Sequence, residues 1–259
     1  MVESKVFSRL PSVVGHRGLG SGVVDGCAEN TLGSFLAAVE LGVDWVELDV
    51  TRTSDDVLVT HHNPSTRQGE FLVGRTAADV AALGVPTLEQ VLDALPAGVP
   101  VDVDVKTVLE DATSAAERWT PGLLAPVLAR EAARRPLLVT SFDPAALLAL
   151  RERVPGLACG LITWLNFPLR IAVAAAARLG LQAVCVHHGS FGPNLVEPGP
   201  VHQLPARSIE VCHGAGLEVL AWCPPPADAL ALLAAGVDAV VVNDVPRMLP
   251  LVRSWSAAG

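Results

Sequence analysis

Eight short runs rich in β-branched residues recur along the 259-residue chain, and each is followed by a longer stretch dominated by alanine and leucine. The runs are Val13–Gly15, Trp45–Val50, Val101–Val105, Leu137–Thr140, Ala158–Ile162, Ala183–Val186, Glu218–Trp222 and Ala239–Val242. Most are continuously apolar, the pattern of parallel strands covered on both faces. The helical stretches between them are Leu32–Leu41, Leu88–Leu95, Leu123–Arg134, Ala145–Val154, Leu169–Leu179, Ala206–Ala215, Ala227–Ala235 and Arg247–Ser254. Several ends carry their own signals. Thr87 and Gln90 make a capping box, Asp143–Pro144 supplies an N-cap and a first-turn proline, and Gly42, Gly180, Gly216 and Gly236 stand where left-handed C-caps are wanted. Eight strand–helix units in a single run read as an α/β fold, a (β/α)8 TIM barrel forming a single domain over residues 1–259, with its core at about 12–252. A doubly wound open sheet is the competing arrangement.

Composition agrees with a large core: 51% of residues are hydrophobic and 17% charged, which excludes a disordered chain. The net charge of −9 leaves no general basic face for nucleic acid or an anionic membrane. Positive charge for a phosphate-bearing substrate must therefore be local or brought by a metal. The five cysteines show no CxxC pair, and four lie in or beside apolar runs, so they read as structural thiols rather than a disulfide framework or zinc site. No apolar stretch of signal-peptide length precedes the first strand, and Asp228 and Asp238 interrupt the most hydrophobic region. A soluble, cytoplasmic protein without stable membrane insertion is expected.

In TIM barrels function gathers at the C-terminal ends of the strands. The first strand ends in "GHRG", delivering His16 and Arg17, with Gly18 read as letting the chain turn beside a ligand. The second, "WVELDV", places Glu47 and Asp49 two apart and so on one face of an otherwise apolar strand. The third, "VDVDVK", puts Asp102, Asp104 and Lys106 on one face by the same period. Like charges this close are costly to bury unpaired. An oxygen-rich set of Glu47, Asp49 and Asp104 without clustered thiolates suits a hard cation, Mg²⁺ or Ca²⁺. Histidines, an arginine, a lysine and a metal at one barrel mouth fit hydrolysis at phosphorus.

The chain at this point resembles the glycerophosphodiester phosphodiesterase family, on "GHRG", "AENTLGSFLAAVELGVDWVELDV" and "VLVTHHNP", with looser matches in "VPTLEQVLDAL", "TSF", Trp222 and "NDVP". The resemblance implies that His16 and His62 are the general acid and base. It also implies that Arg17 and Lys106 meet the phosphate, that Glu29, Asn30 and Trp222 support or line the site, and that Glu47, Asp49 and Asp104 hold the metal. Matching "HNP" to the family's His-Asp-Pro selects His62 over His61, and period-2 alternation points His61 the other way. The implied reaction cleaves small glycerophosphodiesters, such as glycerophosphocholine or glycerophosphoethanolamine, to sn-glycerol 3-phosphate and an alcohol. Two alternatives accompany it: a phospholipase D-like barrel cleaving lysophospholipids, and a non-catalytic barrel binding phosphorylated ligands.

Four positions depart from the family pattern. Asp104 stands where glutamate is usual, Asn63 where aspartate follows the second histidine, "WCPP" where Trp-Thr-Val-Asn is common, and the "GLGSGVVDGCAEN" loop is longer. His187 and His188 follow the sixth strand, where one could reach the mouth. His202 and His213 read as loop and helix-surface residues. The stretch "GLITWLNFPLRIAV" reads as helix packing, with lining of an apolar part of the pocket as the alternative.

Overall fold

A computed structural model describes residues 5–66, 68–196 and 205–258. The apolar runs become the strands β1 (Ser12–Gly15), β2 (Trp45–Arg52), β3 (Val101–Val105), β4 (Leu137–Ser141), β5 (Ala158–Ile162), β6 (Ala183–His187), β7 (Glu218–Trp222) and β8 (Ala239–Val242). They pair in parallel in chain order, and β1 pairs with both β8 and β2, which closes the barrel. The open-sheet alternative is thereby excluded. A short antiparallel strand, Leu58–Thr60, adds to the outer end of β2.

The surrounding helices are α1 (Leu32–Leu41), α2 (Leu88–Ala94), α3 (Thr120–Glu131), α4 (Pro144–Arg153), α5 (Leu169–Arg178), α6 (Pro205–Gly214), α7 (Pro226–Ala235) and α8 (Val245–Ala258). A five-residue helix, Ala77–Ala81, lies in the excursion between β2 and α2 and was not expected from the pattern. Strand limits agree with the sequence reading within two residues. Helix α3 begins three residues earlier than its periodicity suggested, because Asp111 accepts from the Thr120 amide and hydroxyl and Pro121 fits the first turn. The capping box on Thr87 and Gln90 and the Asp143 N-cap form as expected. No helix among the described residues is long and apolar enough to cross a membrane.

Alternation sorts each strand into two cores. Val46, Leu48 and Val50 on β2, with Val101, Val103 and Val105 on β3, pack outward against the helices. The inward residues Val14, Leu138, Leu220, Ala239 and Val241 fill the barrel, and its floor is closed by Trp45 and Phe7, whose rings meet edge-on at 5.4 Å. Phe7 is fixed there because Glu218 accepts hydrogen bonds from the Val6 and Phe7 amides. The same inward column on β2 and β3 turns polar toward the mouth. Glu47 stands in register with Asp102, and Asp49 with Asp104.

The long loop after β1 folds into a hairpin, Val23–Val24 against Cys27–Ala28. Asp25 and Gly26 at its turn both take positive φ, as a type I′ turn requires. Gly18 has φ +95°, and a Cβ there would come within 2.7 Å of the Ser34 carbonyl carbon and 2.9 Å of the Phe35 nitrogen. Its positive φ lets the chain turn there, as the sequence reading has it, and the missing Cβ lets that turn sit against the start of α1. Replacing Gly18 by alanine is expected to cost about 3 kcal/mol, lowering the thermal midpoint by about 6–12 °C in a scanning calorimeter.

Candidate active site

A cavity of about 770 Å³ opens at the C-terminal end of the barrel. His16, Arg17, Glu47, His62, Asp104, Lys106 and Trp222, taken from seven separate sequence positions, all line it. Asp49 lies fully buried beneath them. Glu29 and Asn30 face a smaller neighbouring cavity and act on the site through their partners. Glu29 holds the Arg17 Nη1 at 2.9 and 3.0 Å and caps the Gly22 amide. Asn30, buried and at positive φ, donates from Nδ2 to Asp49 Oδ2 at 2.7 Å.

The two imidazoles are held alike. His16 Nδ1 lies 2.5 Å from Asn243 Oδ1, an oxygen that also accepts from the Cys223 thiol at 3.1 Å. His62 Nδ1 lies 3.0 Å from Asn63 Oδ1. Each ring thus commits Nδ1–H to a neutral amide oxygen and keeps Nε2 for proton exchange, a tautomer assigned from the partners. Burial and the nearby Arg17 guanidinium push His16 down to about 4. Burial lowers His62 as well, with Arg17 and Lys106 adding to it against the pull of Asp49. His61 turns its Nδ1 to the Asn63 carbonyl at 2.8 Å and lines the smaller cavity, leaving His62 as the histidine in the main one.

Beside them, Glu47, Asp49 and Asp104 each offer an oxygen within 4.8 Å of the others, all three buried. The Lys106 ammonium lies 2.9 Å from Asp49 Oδ1 and bonds Asp104. Arg17 adds a backbone N–H to Glu47 Oε2 at 2.7 Å and an Nε 3.3 Å from Asp49 Oδ2. Burial would raise Asp49, but Lys106 and Arg17 outweigh it and hold that carboxyl well below the usual range. Burial and the adjacent Asp49 and Asp104 raise Glu47 well above its ordinary value. Asp104 is pushed up to about 6, by burial first and Asp49 next, against Lys106. Deeper on β3, Asp102 accepts from the Thr140 hydroxyl at 2.9 Å, and burial lifts it to about 8. Asp104 Oδ1 is buried with no hydrogen-bond partner, so the donor set fits a hard divalent cation.

A model of the glycerophosphoryl diester phosphodiesterase family matches residues 16–247. The chain belongs to the glycerophosphoryl diester phosphodiesterase family. That membership places it among phosphodiester-cleaving hydrolases. It is 31% identical over 250 residues to the probable glycerophosphodiester phosphodiesterase 2 of Mycobacterium tuberculosis, covering 88% of each chain. It is 42% identical over 87 residues to a glycerophosphocholine phosphodiesterase of Schizosaccharomyces pombe, a match covering 32% of this chain and only 7% of that much longer protein. In fold it is similar to a phosphodiesterase of Oleispira antarctica solved with the product sn-glycerol-3-phosphate, at a TM-score of 0.75 and 22% identity over 96% of this chain and 100% of that one.

Within this glycerophosphoryl diester phosphodiesterase barrel, the departures from pattern are absorbed locally. Asn63 supplies an oxygen to the His62 ring, and Asp104 still brings an oxygen to the cluster despite its shorter side chain. In "WCPP", Cys223 takes a left-handed φ of +54° and lies against His16 and Asn243. Asn243 was missed as a site residue, although "NDVP" had been singled out. Its partner His16 is 227 positions away, and only barrel closure brings them together. Phe142 was missed as a cavity wall too. Trp164 sits in the loop before α5, so Ile162, Trp164 and Leu165 line the pocket, while Leu169 and Ala172 of the same stretch pack the helix against the core. His187 accepts from the Gly189 amide and meets the Trp222 ring edge-on, while His188 pairs with Asp228; neither lines the main cavity. All five cysteines are free. His213 is on the helix surface beside Asp238, and His202 lies outside the described residues.

Proposed function

We propose that the protein hydrolyses glycerophosphodiesters to sn-glycerol 3-phosphate and an alcohol, with His16 and His62 as the acid–base pair and with a divalent cation, Mg²⁺ or Ca²⁺, held by Glu47, Asp49 and Asp104. The observation that carries this reading is the convergence on one cavity of two histidines with Nδ1 tied down, two cations and a three-carboxylate cluster. The matched relative from M. tuberculosis bears the name of this activity, and the O. antarctica phosphodiesterase binds the product named here.

A diester phosphorus is shielded by anionic oxygens, so neutralising them is the first requirement. Arg17 and Lys106 present positive charge to the phosphate, and a bound cation adds more against the same oxygens. Arg17 is held for this by Glu29 and Asp49, and Lys106 by Asp49 and Asp104. One imidazole takes a proton from the attacking hydroxyl at its Nε2, and the other gives a proton from Nε2 to the departing alkoxide. Asn243 and Asn63 keep both rings in the orientation this needs. Trp222 closes the pocket wall.

The test is release of sn-glycerol 3-phosphate from glycerophosphocholine and glycerophosphoethanolamine, followed with a coupled dehydrogenase. Release is expected with Mg²⁺ or Ca²⁺, to vanish in EDTA and to return when the ion is restored. A folded protein that turns over no glycerophosphodiester under any of these conditions sinks the proposal.

A further inference from the structure

Cys223 stands half-buried in the wall of the main cavity, with Sγ 3.1 Å from Asn243 Oδ1 and 3.5 Å from His16 Nδ1. Its backbone is shaped to put it there. The Cys223 N–H donates to the Val241 carbonyl at 2.9 Å, so the residue leaves β7 still bonded to β8. It then turns to φ +54°, a left-handed conformation that a β-carbon makes costly, immediately ahead of Pro224 and Pro225. Such strain persists only where the surroundings impose it, and here it aims a thiol at the His16–Asn243 contact. The thiol is unsuited to chemistry of its own. Burial pushes it up to about 12, which leaves almost no thiolate.

The amide that the thiol meets has two ends of similar shape. The Asn243 backbone is fixed, since its carbonyl accepts from the Ser21 amide at 3.2 Å and packs on Gly20 with no room for a Cβ. Its side chain is exposed at the cavity, and toward His16 alone its two orientations are equivalent. With Oδ1 inward, the ring presents Nδ1–H. With Nδ2 inward, the ring accepts at Nδ1 and carries its proton on Nε2, where it can no longer take one from a hydroxyl. Either hydrogen bond is sound, so His16 does not select its own tautomer. A thiol breaks the tie, because it donates to oxygen and accepts only weakly. With Oδ1 inward, Nδ1–H and S–H converge on one oxygen that has a lone pair for each. We propose that Cys223 is a positioning residue for His16: its S–H holds the Asn243 amide with Oδ1 toward the ring, and so keeps the His16 proton on Nδ1 and the Nε2 lone pair free for the reacting groups. The inference rests on the reading of His16 as one of the acid–base pair.

The test labels histidine with 15N and reads the imidazole nitrogens of the metal-free protein above the ring's pKa, His16 being assigned from the signals lost in His16→Gln. The wild-type protein should show a single His16 tautomer, protonated at Nδ1. Cys223→Ala keeps the Cβ and the left-handed turn but removes the donor. It should show a mixture with the Nε2–H form, and should lower kcat for glycerophosphocholine about two- to tenfold with KM little changed, as loss of one hydrogen bond predicts. Cys223→Ser exchanges one donor for another and should recover the single tautomer and most of kcat. A His16 tautomer that Cys223→Ala leaves unchanged overturns the proposal. So does a serine variant no better than alanine, which would reduce the sulfur to packing. The tautomer is read without substrate, so a wild-type protein that cleaves no diester overturns the phosphodiesterase reading while the spectra still decide this one.

Discussion

Replacing His16 by alanine is expected to lower kcat for glycerophosphodiester hydrolysis by about 10²–10⁴-fold, and His62→Ala by a similar factor. Both rings sit at a cavity wall, outside the two apolar cores, so circular dichroism and the thermal midpoint should change little. Kinetics and melting of the two variants decide the matter together: a folded variant with near-wild-type turnover removes that histidine from the mechanism. The pH profile carries a further sign. A histidine acting as base fails when protonated, so activity falls as pH drops through its pKa. Burial and Arg17 place that pKa below the ordinary 6.5 for His16, and burial lowers it for His62. The acid limb of kcat/KM at saturating cation is therefore expected below pH 6.5, lower than two unperturbed imidazoles would give. An acid limb above 6.5 contradicts the geometry.

Removal of the divalent cation is expected to abolish turnover and to change how stability depends on pH. In the metal-free protein Asp104 is pushed up to about 6 and Asp102 to about 8, and Glu47 is raised well above its ordinary value, in each case by burial first. A carboxyl with a raised folded-state pKa contributes stability that is present below its unfolded value near 4 and lost as pH rises through the folded value. Asp49, held low by Lys106 and Arg17, contributes in the opposite sense, and only in the acid range below that window. The thermal midpoint in EDTA should therefore fall from pH 7 to pH 9, above the range in which the lowered histidines His16, His62 and His187 act in the opposite sense. Millimolar Mg²⁺ or Ca²⁺ should raise it by an amount that grows over the same interval, because protons and the cation compete for the same oxygens. Calorimetry at pH 5, 7 and 9, with and without the ion, reads both trends. A midpoint that climbs from pH 7 to pH 9 in EDTA, or that no cation moves, would show that the cluster is not a cation site. Asp49→Ala should remove the cation-dependent gain and the turnover together.

The first motif illustrates how unevenly the site could be read from the chain. That His16 and Arg17 stand at the end of a buried strand is local information, carried by "SVVGHRG". What each side chain touches is not local. His16 meets Asn243 and Cys223 from the last two strands, and Arg17 meets Glu29, Glu47 and Asp49 through a backbone turn with φ +53°. Gly18 is legible as a turn glycine, but only the fold shows that its turn packs on α1. Trp164 looked like helix packing and stands at the rim of the cavity.

The sequence by itself determined the number and order of the strand–helix units, their caps, and the face of each strand. Propensity, capping and the period of two act between near neighbours and survive in any tertiary context. It also determined that Glu47 and Asp49 share a side, as do Asp102 and Asp104. The count of eight units pointed to a closed barrel, but the tertiary structure decided between closure and an open sheet, and with closure that β1 lies between β8 and β2. Ring closure makes the first and last strands neighbours, and their pairing has no signature in either segment. The asparagines on the two imidazoles differ for the same reason: Asn63 adjoins His62 in the chain, whereas Asn243 reaches His16 only across the seam.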